Sequence, residues 1–133
     1  MSARYTFGVG ARTGVDALEL AALLRGLAVL FDVNPQAATL ATLDARENEQ
    51  GIHAAARILK IEVVFLSLDD LRARRDDVLT YSPRIIEMFG VGSVAEAAAL
   101  AGAGEGSLLL APRIASARLT CAIARGREGD ERK

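Results

Sequence analysis

The sequence contains very few of the side chains that build metal sites and disulfides. It has one cysteine, Cys121, and one histidine, His53. A single cysteine excludes a disulfide within the chain, and the two residues cannot supply the four Cys or His ligands that a structural zinc site uses. We therefore predict no metal site, and the absence of a disulfide framework favours a reducing compartment.

The sequence also lacks an excess of charge and a long apolar segment. Its 16 basic and 17 acidic side chains leave a formal net charge of -1, which argues against a dedicated nucleic-acid binder. The most apolar stretch, residues 18–31, is interrupted by Arg25 and Gly26. It is shorter than the roughly 20 apolar residues that span a bilayer, and the first residues do not have the pattern of an export signal. We predict a cytoplasmic protein that contacts neither nucleic acid nor membrane.

The remaining composition is that of a globular domain. Of the 133 residues, 51% are hydrophobic and 25% are charged, which is ordinary for one domain of this length. Tryptophan is absent, so leucine, alanine, valine and isoleucine must fill the core. We predict a single domain over residues 1–126 and a charged, disordered tail over residues 127–133.

Short β-prone runs alternate with helical patterns over the first half of the chain. Predicted strands cover residues 5–9, 37–42, 61–66, 107–110 and 118–124, and predicted helices cover residues 14–31, 48–59, 68–77, 83–89 and 94–100. The nearly continuous apolar run at 61–66 is typical of a buried parallel strand. Residues 111–116 are too few for a parallel crossover, so the last strand is predicted to be antiparallel. These elements indicate an α/β fold, a three-layer α/β/α sandwich around a mixed sheet of about five strands.

Four predicted helices carry start signals. Capping boxes, in which Ser or Thr is followed three residues later by an acidic residue, occur at Thr13–Asp16, Ser67–Asp70 and Ser93–Glu96. Ser82 and Pro83 suit the cap and the first position of the fourth helix. The mixed-sign run at 72–77 predicts a solvated helix face.

Polar residues follow several predicted strands, at the rim where ligands bind in an open parallel sheet. This rim combines the loop GVGARTG (residues 8–14), the segment TLDARENE (42–49) and parts of YSPR (81–84) and APRIAS (111–116). Its candidate residues are Arg12, Thr13, Asp44, Arg46, Glu49, Ser82, Arg84, Arg113 and Ser116. Arginine pairs with carboxylate or phosphate through two hydrogen bonds, and the backbone N–H groups of residues 10–14 can hold an anion. The rim therefore predicts a pocket for a ligand with several negative groups.

The loop GVGARTG has two further interpretations. It differs by one residue from the dinucleotide fingerprint G-x-G-x-x-G, and Asp44 lies 30 residues after Gly14 instead of about 20. It also suits a tight strand-to-helix turn that needs glycine. Both alternatives stay open, and we predict no cofactor.

Asp44 and Glu49 are the candidate catalytic pair, because paired carboxylates can divide acid and base roles. In the alternative interpretation, Asp44 caps the second helix and Glu49 lies in its first turn, where the helix dipole favours a negative charge. His53 is predicted to be a surface or half-buried residue, and Cys121 a buried, inert thiol.

In order and spacing, four segments resemble the CobE family of cobalamin biosynthesis, which includes the C-terminal domain of the cobalt-precorrin-5A hydrolase CbiG. They are GVGARTG, ATLDARENEQGI, TYSPRIIEMFGVGSVAEAAAL and LLLAPRIASARLTCAIAR, and the resemblance covers residues 5–125. It implies a three-layer α/β/α fold and a corrin-ring tetrapyrrole ligand edged with acetate and propionate groups. The residues that match the family pattern are Gly8, Gly10, Arg12, Gly14, Thr42, Asp44, Glu49, Ser82, Pro83, Ser93 and Glu96.

Three departures from the family pattern bear on activity. Ala11 stands where relatives often carry cysteine, Arg46 and Arg113 stand where lysine is common, and the sequence shows no counterpart of the hydrolase's N-terminal part. We therefore predict an accessory or carrier protein whose partners are a precorrin or other corrinoid intermediate and other cobalamin-pathway enzymes. The alternatives are a lactone-opening hydrolase with Asp44 or Glu49 as the base, and a nicotinamide-dependent reductase. Composition does not decide between a monomer and a homodimer.

Overall fold

A computed structural model describes residues 4–127 of the chain. Most of the tail predicted over 127–133 lies outside these described residues. The described residues form six β-strands and five α-helices. In chain order they are β1 (Tyr5–Ala11), α1 (Ala17–Leu30), β2 (Ala38–Leu43), α2 (Gln50–Leu59), β3 (Val63–Leu66), α3 (Leu68–Arg72), α4 (Pro83–Phe89), α5 (Val94–Ala103), β4 (Leu108–Leu109), β5 (Ile114–Ala115) and β6 (Leu119–Arg125).

The strands form one mixed sheet in the order β3-β2-β1-β6-β4, with β5 also paired to β6. Strands β1, β2 and β3 are parallel to one another. Strand β6 runs antiparallel to β1, β4 and β5, which confirms the prediction for the last strand. The sheet has one strand more than predicted, because the connection at 111–116 contains the short strand β5.

Alternating side chains of the central strand separate two hydrophobic clusters. Phe7 and Val9 of β1 pack with buried residues of α1 and α2 on one face. On the other face, buried alanines of α5 pack with Leu71 of α3 and with Ala122 and Ala124 of β6. The predicted three-layer α/β/α sandwich is therefore confirmed.

Helix α5 lies unusually close to the sheet because both surfaces carry very small residues. Gly8 lies beneath the helix, and a Cβ atom there would overlap the carbonyl oxygen of Ala95 and lie 2.5 Å from the amide nitrogen of Ala99. Both alanines are fully buried. Gly8 was predicted to bind ligand, but its place in the structure is in this packing contact.

The helix starts follow the predictions in part. Ser67 and Asp70 form both bonds of a capping box, and Ser82 caps α4 with Pro83 in its first turn. The capping box predicted at Thr13 is wrong, because Asp16 itself caps α1 and accepts hydrogen bonds from the amides of Leu18 and Glu19. Helix α1 consequently begins three residues later than predicted.

Two other predictions are wrong for reasons of tertiary structure. Strand β3 is not buried, since it pairs only with β2 at the edge of the sheet, and Val64 is 39% exposed. The run at 72–77 is not simply a solvated face. Arg72 donates to the carbonyl of Phe89, and Arg74 donates to the carbonyls of Leu100 and Gly104.

Within residues 4–127, no single helix is long and apolar enough to cross a membrane. Helices α4 and α5 reach the required length only together, and they are bent by 59° relative to each other.

Candidate functional site

A cavity of about 430 Å³ opens beyond the carboxyl ends of β1 and β2, where an open α/β sheet binds its ligands. Four parts of the chain form its walls: the ends of β1 and β2 with the residues that follow them, helix α4, the start of α5, and the segment from Arg113 to Thr120. Of the predicted ligand-binding residues, Gly10, Arg12, Thr42, Arg46, Ser82, Arg84 and Arg113 line this cavity. Gly8, Thr13, Gly14 and Asp44 are not part of the lining.

The lining carries a concentrated positive charge. Its ionisable side chains are all arginines, namely Arg12, Arg46, Arg84, Arg113 and Arg118. No aspartate or glutamate is among the described residues that line the cavity. Five guanidinium groups around one concavity create a positive local field even though the whole chain is nearly neutral.

Two of these arginines bond to the backbone at the end of β1 and in the loop that follows it. The Nε atom of Arg46 donates to the carbonyl oxygen of Ala11 at 2.8 Å, and Nη2 of Arg118 donates to that of Thr13 at 3.3 Å. These bonds hold the backbone on both sides of Arg12. Within residues 4–127, the guanidinium groups of Arg12, Arg84 and Arg113 donate no hydrogen bond to another residue. These three side chains are called the unpaired arginines below.

Glu49 also bonds to the loop that follows β1. Its Oε1 atom accepts hydrogen bonds from the amides of Gly14 and Val15, at 3.0 and 3.1 Å. The prediction that the amides of residues 10–14 cradle an external anion is therefore wrong for Gly14, because a carboxylate of the chain already occupies its N–H group. A nucleotide pyrophosphate would have to displace Glu49 to use it.

The carboxylates predicted as a catalytic pair lie outside the cavity lining. Asp44 is exposed and begins a 3₁₀ turn over residues 44–46, so it does not cap α2. Glu49 precedes the first turn of α2 at the cap position, although its side chain does not bond to that helix. A catalytic role for the pair stays a prediction.

The sequence analysis treated Glu96 as part of a capping box and missed its role in tertiary structure, and it did not include Arg118 among the rim candidates. The side chain of Glu96 is fully buried. Its two oxygens accept four hydrogen bonds: from the amides of Leu79, Thr80 and Arg113 and from the hydroxyl of Thr80, at 2.6–2.9 Å. Only half of the predicted capping box forms, since Ser93 accepts from the amide of Glu96 while the carboxylate bonds elsewhere. Glu96 thereby joins the segment that leads into α4 to the segment that carries Arg113.

Apolar side chains complete the cavity. Ile85, Met88 and Phe89 of α4 contribute one wall together with Val94, and Leu43 and Leu119 lie at the strand ends. The cavity thus combines an apolar surface with guanidinium groups. It is suited to a molecule with an apolar body and negatively charged substituents.

The single histidine and the single cysteine lie elsewhere. His53 is half-buried, as predicted, with Nε2 2.7 Å from the carbonyl oxygen of Glu47 and its ring 5.3 Å from that of Phe65. Cys121 is fully buried in β6, which confirms its predicted burial. Burial, and secondly the nearby carboxylate of Glu19, raise the pKa of its thiol from 9.0 to about 12. Within residues 4–127, no group of three or more His, Cys, Asp or Glu side chains is placed to hold a metal ion.

These features define an α/β/α sandwich protein with an arginine-lined cavity at the end of its parallel strands. Residues 5–124 match the family described as cobalamin synthesis G C-terminus, and the chain belongs to that family. Protein CobE from Sinorhizobium sp is 34% identical over 118 residues, which are 88% of this chain and 77% of that protein. The chain is therefore a protein of the cobalamin biosynthesis pathway.

Solved structures of relatives share the fold. The crystal structure of CobE, described as a protein from the cobalamin (vitamin B12) biosynthetic pathway, has a TM-score of 0.85 at 32% identity, over 94% of this chain and 92% of that one. Cobalamin biosynthesis protein chiG from Agrobacterium tumefaciens has a TM-score of 0.71 at 32% identity, over 93% and 99%. A putative cobalamin biosynthesis protein G homolog from Sulfolobus solfataricus has a TM-score of 0.69 at 19% identity, over 96% of this chain and 38% of that one, and shows the fold alone.

Proposed function

We propose that the chain binds a corrin-ring tetrapyrrole intermediate of cobalamin biosynthesis in the arginine-lined cavity and serves the pathway as an accessory or carrier protein. One observation carries this proposal. The unpaired arginines Arg12, Arg84 and Arg113 line the same cavity as the apolar side chains of α4.

The chemistry of the cavity matches that of the ligand class. A tetrapyrrole with acetate and propionate groups has two apolar faces and a rim of carboxylates. Apolar side chains such as Met88 and Phe89 can contact a face of the macrocycle, while guanidinium groups pair with the rim through charge-assisted hydrogen bonds. No acidic side chain in the described lining repels such a ligand.

The composition of the lining favours a carrier protein over an enzyme. Its described residues include no Asp, Glu, His or Cys, which are the usual general acids and bases. A protein that holds an intermediate without converting it must exchange it with neighbouring pathway enzymes, and we propose these enzymes as its partners.

A hydrolase acting on a precorrin intermediate is the second candidate. One contact favours it: the Ser116 hydroxyl, at the cavity wall, donates to Oε2 of Glu19 at 2.7 Å. A glutamate beside a hydroxyl can accept its proton. If the chain is a hydrolase of this kind, Ser116→Ala abolishes turnover and leaves binding intact. If instead Asp44 is the base, Asp44→Asn does so.

The first test is a visible-spectrum titration of the purified chain with hydrogenobyrinic acid and its earlier precursors, followed by gel filtration and mass analysis of the ligand. We expect co-elution, an altered spectrum and an unchanged ligand mass. Gel filtration also reports whether a homodimer forms. A changed mass would establish an enzyme, whereas no binding of any precursor would overturn the proposal.

Variants then locate the site. Arg12→Gln, Arg84→Gln and Arg113→Gln should each raise the Kd about tenfold or more, since a hydrogen bond to a charged group contributes about 1.5–3 kcal/mol. Arg25→Gln is the matched control, because Arg25 is exposed on α1 and outside the cavity lining. Equal affinities for all four variants would place the site elsewhere.

A further inference from the structure

The cavity is small for the ligand proposed above. Its volume of about 430 Å³ lies in the lower half of the range of about 300–1,000 Å³ that encloses drug-sized ligands. A tetrapyrrole with carboxylate groups on all of its rings is larger than such ligands. Only part of the macrocycle therefore fits between the walls.

The unpaired arginines come from three separate segments of the chain. Arg12 lies in the loop after β1, Arg84 in the first turn of α4, and Arg113 just before β5. All three line the same cavity, so they can reach neighbouring substituents on one side of a macrocycle.

The backbone at two of these positions is fixed before any ligand arrives. Arg46 and Arg118 bond to the carbonyls of the residues on either side of Arg12, and the amide of Arg113 donates to buried Glu96 at 2.8 Å. Anchored donors of this kind bind their acceptors with less loss of conformational entropy. Arg46 and Arg118 each use one of their five N–H groups on this backbone. The unpaired arginines can offer the whole guanidinium group to a carboxylate, so we take them as the principal carboxylate-binding groups.

We infer that the cavity holds the tetrapyrrole by one edge. The unpaired arginines each pair with one carboxylate of that edge, and the carboxylates of the opposite edge remain in solvent. This inference rests on the proposed function. Its consequence is that a second protein can reach and modify the exposed edge while the ligand is still bound.

A count of protected carboxylates tests the inference. The complex with hydrogenobyrinic acid, first verified by gel filtration, is treated briefly with a water-soluble carbodiimide and excess ethylamine. The ligand is then released and its mass measured. We expect about three carboxylates to escape amidation and the others to react, whereas all of them should react in the presence of urea.

Arginine variants test whether the protected carboxylates are those bound by the unpaired arginines. Arg12→Gln, Arg84→Gln and Arg113→Gln should each lower the number of protected carboxylates by one, while Arg25→Gln should leave it unchanged. Protection of every carboxylate or of none would overturn the inference, as would a count that the three variants do not change. In those cases the verified complex still supports the proposed function, whereas failure to form a complex would overturn both.

Discussion

At the scale of the residue, Glu96 determines how two walls of the cavity meet. Its carboxylate is fully buried and its four hydrogen-bond donors belong to two segments that are distant in sequence. A buried carboxylate without such donors would be strongly destabilising. The segments around Thr80 and Arg113 therefore keep their places only while Glu96 accepts from both.

Glu96→Gln should release one of these segments. The amide group replaces one acceptor oxygen with a donor, so at least one buried N–H loses its partner, at a cost of about 1–3 kcal/mol. We expect the amides of Leu79 and Thr80, or that of Arg113, to exchange with solvent at least about fivefold faster by NMR, since about 1.4 kcal/mol corresponds to a factor of ten.

Ser93→Ala is the matched control for this variant. It removes the bond from the amide of Glu96 and should lower stability by about 1 kcal/mol, as is usual for a lost helix cap. The four bonds to the carboxylate stay in place. The amides of Leu79, Thr80 and Arg113 should therefore exchange faster only by the factor that the loss of global stability explains. Equal local exchange in both variants would contradict the role assigned to Glu96.

Cys121 should make stability depend on pH in the alkaline range. The folded state raises the pKa of its thiol from 9.0 to about 12, so between these values the unfolded chain loses a proton that the folded chain keeps. The free energy of unfolding should therefore fall as the pH rises above about 9, by at most about 1.4 kcal/mol per pH unit for this one group. Below about pH 9 the Cys121 thiol is protonated in both the folded and the unfolded state, so its contribution to the free energy of unfolding no longer changes with pH.

Urea unfolding at several pH values between 8 and 11 measures this effect. Cys121→Ala removes the thiol, so the difference in stability between the variant and the unaltered chain should change with pH in that interval. The folded thiol should also resist alkylation at pH 8, because a neutral thiol is a poor nucleophile. A pH-independent difference between the two chains would refute the assignment.

The sequence identified individual charged residues better than their partners. Arg12, Arg46, Arg84 and Arg113 were predicted at the rim, and all four line the cavity. The roles of Glu96 and Arg74 were missed, because their bonding partners lie 16–33 residues away. A capping-box pattern relates two residues that are three positions apart. It carries no information on which distant loops pack over a side chain.

At the scale of the element, the close contact between α5 and β1 depends on a missing side chain. The helix is largely alanine where it meets the sheet, and Gly8 leaves room for its backbone. This contact places Val94 and Glu96, at the start of the helix, beside the cavity.

Gly8→Ala should be severely destabilising. The new methyl group overlaps the backbone of Ala95 and Ala99, so α5 must move away from the sheet, and we expect a loss of more than about 3 kcal/mol. Gly26→Ala is the control. Nothing lies within 4 Å of a Cβ there, and alanine in an exposed helix position should stabilise by about 0.5–1 kcal/mol. Comparable thermal midpoints for the two variants would disprove the close-packing argument.

Most elements could be predicted because their signals are local. Ser82–Pro83 and Ser67–Asp70 start helices where the sequence indicates. The place of β3 at the sheet edge could not be predicted, because strand order depends on how distant strands pair. The short strand β5 was also missed, since two residues give no periodicity.

At the scale of the whole molecule, charge is distributed unevenly. The chain has a formal net charge of -1, yet the cavity lining carries five arginines. Association with an anionic ligand should therefore depend on the local field rather than on the net charge.

Salt and ligand charge test this field directly. Because the guanidinium groups are partly open to solvent, raising NaCl from about 50 to about 500 mM should weaken binding of hydrogenobyrinic acid about tenfold or more. Arg84→Gln should reduce that salt dependence, and a methyl-esterified ligand should bind weakly at any salt concentration. Salt-independent binding measured by spectral titration would show that apolar contacts dominate.

The interior position of strand β6 in the sheet affects how the chain can fold during synthesis. Strand β6 lies between β1 and β4, and its residues pair with those of β1 from Tyr5–Arg125 to Ala11–Leu119. During synthesis on the ribosome, β1 emerges first, and one of its edges then has no partner until residues 119–125 have left the exit tunnel. An open strand edge is prone to pair with other chains. We therefore expect the sheet to be completed only after residues 119–125 have emerged, and we expect the open edge of β1 to need protection from aggregation until then.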